Sequence, residues 1–113
     1  MTKPAALAPA WRDVFWIPRA LVDPNDPKLG CPAVVVEVVR GHAGRARVVT
    51  RTRDPKRGRN GVHHEPQPDL RLFEEGWFTD EYWVDLVAFT RPPMDYRGPL
   101  EMNAMERVEA MFS

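Results

Sequence analysis

A single cysteine, Cys31, stands in the chain. An intramolecular disulfide is therefore excluded, and the chemistry suits a reducing cytoplasm. No apolar run approaches the roughly 18 residues that a membrane span needs. The opening residues MTKPAALAPA hold no apolar signal-peptide core. A cytoplasmic protein without a membrane partner is the expectation. Net charge is lacking as well, because sixteen basic and sixteen acidic side chains cancel. Internal repeats and low-complexity segments are absent, so no repeat array is built. What remains is one domain of 113 residues, long enough for a modest core.

The neutrality hides an asymmetry. Arg45 to Arg59, RARVVTRTRDPKRGR, holds seven basic side chains and a single acid, Asp54. Its first half alternates like a strand, with Ala46, Val48, Thr50 and Thr52 on one face and Arg45, Arg47, Arg51 and Arg53 on the other. Same-face neighbours on a strand stand about 6.6–7 Å apart, near the phosphate spacing of an extended nucleic-acid strand. The row therefore reads either as a backbone binder or as a solvated outer face. From Glu65 to Asp85 the balance reverses, with seven acids against Arg71. The two blocks either pair within the fold or lie apart and orient the molecule toward a polyanion.

Twelve prolines argue for short elements joined by irregular turns. Residues 1–10 read as a flexible leader and residues 11–113 as the domain. Trp11 to Ile17 reads as a first strand. Cys31 to Arg40, CPAVVVEVVR, is nearly continuous in apolarity, as a doubly buried strand is. Gly41 to Gly44 makes a hairpin loop into the arginine strand. Asp54 to Pro68 reads as a long polar loop of the kind that often carries function. Leu70 to Phe73 reads as a helical turn or a strand, Glu74 to Gly76 as a turn, and Tyr82 to Phe89 as a further strand. Pro99 opens a helix to Phe112 with Leu100, Ala104, Met105, Val108, Met111 and Phe112 on its apolar stripe. A mostly β fold follows, a small barrel with a C-terminal helix.

Candidate chemistry is sparse. Cys31 begins a buried strand and reads as a small core residue rather than a nucleophile. His63, His64 and Glu65 form a weak metal pattern, since adjacent strand residues point apart. Beside arginines, a histidine suits activation of a ribose 2′-hydroxyl, and a solvated or capping role is the default. Phe73, Trp77, Phe78, Tyr82 and Trp83 either stack on bases or fill the core, with core packing the stronger reading.

The order of these pieces resembles the MazF/PemK family of toxin endoribonucleases. Arg12-Asp13-Val14-Phe15-Trp16-Ile17 stands where that family has a strand of the G-D-V-V-W-V kind. Cys31-Pro32-Ala33-Val34-Val35-Val36 stands in place of R-P-A-L-V-V, and Val48 to Arg53 in place of a strand ending P-[ILV]-T-S. The resemblance covers roughly residues 11–53. It implies an SH3-like barrel, a homodimer, a groove for single-stranded RNA and inhibition by an antitoxin peptide. No cofactor or metal is expected. The family's catalytic pair is the arginine before the proline and the threonine closing the third strand. Thr52 matches the threonine, while Cys31 occupies the arginine position. Lys28, Arg51 or Arg53 then become candidates for the missing charge. In this reading Thr52 contacts the scissile phosphate, Arg51 or Arg53 stabilises developing charge, and His63 or His64 assists proton transfer. Arg45, Arg47, Lys56, Arg57 and Arg59 bind the nucleic-acid backbone. The alternative is a non-catalytic module on the same barrel, a degenerate toxin homologue or phage-type protein that binds nucleic acid or a host protein.

Overall fold

Strand formation follows the β-branched runs. In the computed structural model, which describes residues 9–25, 29–91 and 94–112, the strands are β1 (Asp13–Pro18), β2 (Gly30–Val39), β3 (Arg45–Thr52), β4 (Val62–His64), β5 (Gly76–Asp85) and β6 (Asp95–Pro99), and one helix, α1, spans Met102–Phe112. The strands form a single antiparallel sheet in the order β4-β5-β3-β2-β1-β6. It curls into a half-barrel, with the C-terminal helix packed on one face. The expected leader lies outside the described residues except for residues 9 and 10, and so do Lys28, Pro92 and Pro93. Among the described residues no helix is long and apolar enough to cross a membrane.

Both faces of the central strands are covered, as the valine run of β2 predicts. On one face Val34, Val36, Val49 and Phe78 pack with Ala104, Met105 and Val108 of α1. On the other, Ala33, Val35, Ala46 and Val48 pack with Phe15, Ile17, Val84 and Phe89. At about 25 cal/mol per Å² of buried apolar surface, these two layers dominate the favourable side of folding.

The chain departs from the sequence reading in four places, the first at the helix: Pro99, expected to open it, ends β6, and α1 starts at Met102. The expected strand Tyr82 to Phe89 is shifted: β5 starts at Gly76, and Leu86–Thr90 is a 3-10 turn. That turn folds Phe89 back against Phe15, ring edge to face at 5.1 Å. β6, unforeseen because Asp95–Pro99 is short and polar, forms an edge strand beside β1, where a terminal proline is tolerated. The loop after Asp54 contains a 3-10 turn at Arg57–Asn60 as well as β4.

The strand pairing has three irregularities. Thr79 on β5, Val36 on β2 and Arg97 on β6 are each an extra residue with no directly paired partner. Such bulges bend a strand and re-aim its side chains.

Candidate functional site

The first half of the arginine run is not a free row, although Arg45 is exposed. Arg45 lies over the Trp83 ring, 4.4 Å from its centroid. Arg47 donates to Glu37 at 3.0 Å and to Glu81 at 2.7 Å, and also reaches the Phe112 carbonyl. Burial works to depress this guanidinium, but the hydrogen bonds and charges of Glu81 and Glu37 outweigh it and hold Arg47 above its ordinary value.

The second half opens onto a cavity of about 400 Å³ at one end of the sheet. Six arginines line it, Arg19, Arg51, Arg53, Arg57, Arg71 and Arg97, against one acid, Glu74. Thr50, Thr52 and Thr79 add hydroxyls to its wall. Neighbours on a regular strand point to opposite faces, yet Arg51 and both flanking threonines line this one cavity. The Thr79 bulge lies opposite the Thr50–Arg51 step, and bending there turns the sheet end so that both faces contribute.

Arg51 is held from several sides. It is 5% exposed, and its guanidinium donates only to neutral acceptors. Nε reaches His64 Nδ1 at 3.0 Å, and Nη2 reaches the carbonyls of His64 at 3.3 Å and Glu74 at 2.7 Å. No carboxylate among the described residues pairs with it. Burial, with the nearby Arg53 charge, pulls its pKa down to about 10. Gly76 gives it room, since a Cβ there stands 2.6 Å from Arg51 Cζ.

His64 is fully buried, and burial, followed by the Arg51 charge, lowers its pKa to about 4. It is therefore neutral at pH 7. Because Nδ1 accepts from Arg51, its proton sits on Nε2, which has no hydrogen-bond partner among the described residues and faces Glu101 at 3.8 Å. His64 orients Arg51 from behind and does not line the cavity. His63 lies outside it as well, 2.8 Å from Glu75 through Nε2 and edge-on to Trp77. Lys56 and Arg59 are exposed on the turn beyond the cavity.

The remaining cavity cations have carboxylate or thiol neighbours. Arg53 bonds Glu74 at 2.9 Å, Arg71 and Arg97 share Asp95 at 2.7 and 3.0 Å, and Arg57 stands 3.9 Å from Asp80. Arg19, buried in the turn after β1, donates to Cys31 Sγ at 3.1 Å. A guanidinium thus stands at the Cys31 position, brought from another element. Thr52 Oγ accepts the Asp54 N–H at 3.1 Å, which leaves its hydroxyl proton for another acceptor.

No protein family, curated protein or solved structure matches the chain. The site is therefore read from its own geometry. Clustered guanidiniums and hydroxyls around a concave space are suited to a phosphate or another oxyanion. Among the described residues no three His, Cys, Asp or Glu side chains gather as a metal ion requires.

Sequence reasoning named Thr52, Arg51 and Arg53 as catalytic candidates and Arg57 as a backbone binder, with Thr52 on the strand face opposite the arginines; all four line the cavity. It missed Arg19, Arg71, Arg97 and Thr79. Arg97 sits on the unforeseen strand and Thr79 on a bulge, neither of which leaves a periodic signal. Arg19 follows Pro18, where the strand pattern ends, and nothing local ties it to Cys31.

Proposed function

We propose that the cavity seats a phosphate of a single-stranded RNA backbone, on an SH3-like barrel of the MazF/PemK type that acts as a growth inhibitor. The observation that supports this best is Arg51, a buried cation on the cavity wall whose hydrogen-bond acceptors are all neutral. A charge removed from water without a counter-ion is costly. A phosphate oxygen supplies the missing anion, and the surrounding arginines favour it by steering and by bidentate contacts. A homodimer and an inhibitory antitoxin or host protein belong to the same reading.

Cleavage is the second reading, favoured by the Thr52 hydroxyl sharing the cavity with Arg51. The ribose 2′-oxygen would attack the seated phosphorus to give a cyclic phosphate as the 5′-oxygen departs. Glu74, the cavity's carboxylate, would accept the 2′-proton in place of the histidines, with solvent protonating the leaving oxygen. Arg51 and Arg53 would stabilise the developing charge.

Fluorescence anisotropy with a labelled oligoribonucleotide tests the binding. Replacing Arg51 by Gln removes a charged hydrogen-bond donor worth about 1.5–3 kcal/mol, so affinity falls roughly ten- to a hundredfold. The slope of log K against log salt becomes shallower by about one unit. Absent or salt-insensitive binding by the wild type overturns the proposal. Incubation with long RNA separates the second reading, which fails if Thr52→Ala cuts as fast as the wild type.

A further inference from the structure

One aromatic ring at the cavity has no structural employment. Phe73 lines the cavity and is 69% exposed, whereas Phe15, Phe78 and Phe89 are buried in the two core layers. It is held on a fixed turn. Gln67 and Leu72 exchange backbone hydrogen bonds at 2.8 and 3.3 Å, and Arg71 adopts a left-handed backbone with φ of 59°. Arg71 is also tied to Asp95 at 2.7 Å. Leu72 beside it also lines the cavity but is 4% exposed and belongs to the core layer under α1, which anchors the chain next to the exposed ring.

On the other side, the Glu74 carbonyl accepts the Arg51 Nη2–H at 2.7 Å. Consecutive Cα atoms are about 3.8 Å apart, so the ring is presented one residue from the backbone group that anchors the cavity's buried cation. Trp16 also lines the cavity, its ring packed against Gly30, where an added Cβ would lie 2.2 Å from it. Phe73 therefore places an open apolar face next to an anion site. A single-stranded nucleotide carries that pairing of chemistries, a phosphate and an unstacked base.

We propose that Phe73 is a base-stacking subsite. With a backbone phosphate on Arg51, the adjoining nucleobase lies on the Phe73 ring. This rests on the phosphate reading above and deepens it by naming the residue that receives the base beside the seated phosphate. Every base has a π-face, so the subsite tolerates all four bases, while a duplex keeps its bases stacked away from the ring.

The test compares a short oligouridine with an abasic ribose–phosphate oligomer of equal length, bound to the wild type, Phe73→Ala, Phe73→Trp and Arg51→Gln. Phe73→Ala is expected to weaken the oligouridine about tenfold and to leave the abasic oligomer unchanged. Phe73→Trp retains oligouridine binding, and Arg51→Gln weakens both oligomers. Equal effects of Phe73→Ala on the two oligomers, or none on either, overturn the stacking subsite while the phosphate site stands. Failure of the wild type to bind either oligomer overturns both. Since the ring is exposed, thermal melting of Phe73→Ala should match the wild type, and a collapse in melting temperature also counts against the subsite.

Discussion

Arg47 and Arg51 share a strand and a face, yet their situations are opposite. Across from Arg47 stands Glu37 on β2, with Glu81 diagonal to it on β5. Across from Arg51 stands Phe78, with His64 behind it. Arg47 is held above its ordinary pKa, while Arg51 is drawn down to about 10. A run of like charges in a sequence thus says little about availability. Cross-strand neighbours decide which cation is neutralised within the fold and which is left to meet a ligand.

The largest expected effect belongs to the Arg51 side and is read in pH. His64 is lowered from 6.5 to about 4 by folding, so between those values the unfolded chain binds a proton that the folded chain does not. Stability is fully present above pH 6.5 and lost as pH falls through that window, by up to about 3 kcal/mol. Urea unfolding at pH 7, 5.5 and 4 measures the loss, and His64→Gln, which keeps an acceptor for Arg51, should remove most of it. Matching pH slopes in the two proteins would break the comparison.

A smaller effect comes from crowding the same guanidinium. In Gly76→Ala the new methyl stands 2.6 Å from Arg51 Cζ and 2.8 Å from the Thr52 carbonyl. Overpacking of this kind costs about 1–3 kcal/mol, which thermal melting will show, and RNA affinity should drop with it. Full affinity after Gly76→Ala would mean that the placement of Arg51 is irrelevant to the ligand.

The smallest effect is expected at Arg47. Its partners Glu37 and Glu81 are about half exposed, so a double-mutant cycle on Arg47 and Glu81 should return less than about 1 kcal/mol. The coupling should fade in 1 M salt, where the screening length is about 3 Å. RNA affinity should hardly change in Arg47→Gln. A coupling or affinity loss equal to that at Arg51 would erase the distinction between the two halves.

Much of the fold was legible in the residues. The valines of β2 require cover on both sides, and they have it. The GHAG hairpin and the stripe of α1 follow from local rules of turn and period, with Ala104, Met105 and Val108 buried as expected and Met111 exposed, while Leu100 is buried ahead of the helix rather than in it. The site was legible only in part. Thr52 and Arg51 fall on opposite faces of an ideal strand, which argued against their acting together. The side chains that resolve this lie on other strands, and single-residue irregularities have no sequence period. The depth of Arg51 was equally hidden, because alternation cannot tell an arginine under a helix-covered face from one in water.

The extra residue on β5 has a wider consequence, best put in terms of phase. On an uninterrupted strand all even-numbered side chains share a face. Yet Phe78 belongs to the layer under α1, whereas Val84 and Tyr82 belong to the opposite layer. Thr79 shifts the alternation by half a period, so the strand reads as two short messages in opposite register. Removing one residue there would restore a regular ladder and carry Phe78 away from the His64 ring it packs against at 5.4 Å. The position that looks most dispensable in the pairing pattern is the one that keeps the two ends of β5 pointing to their separate layers.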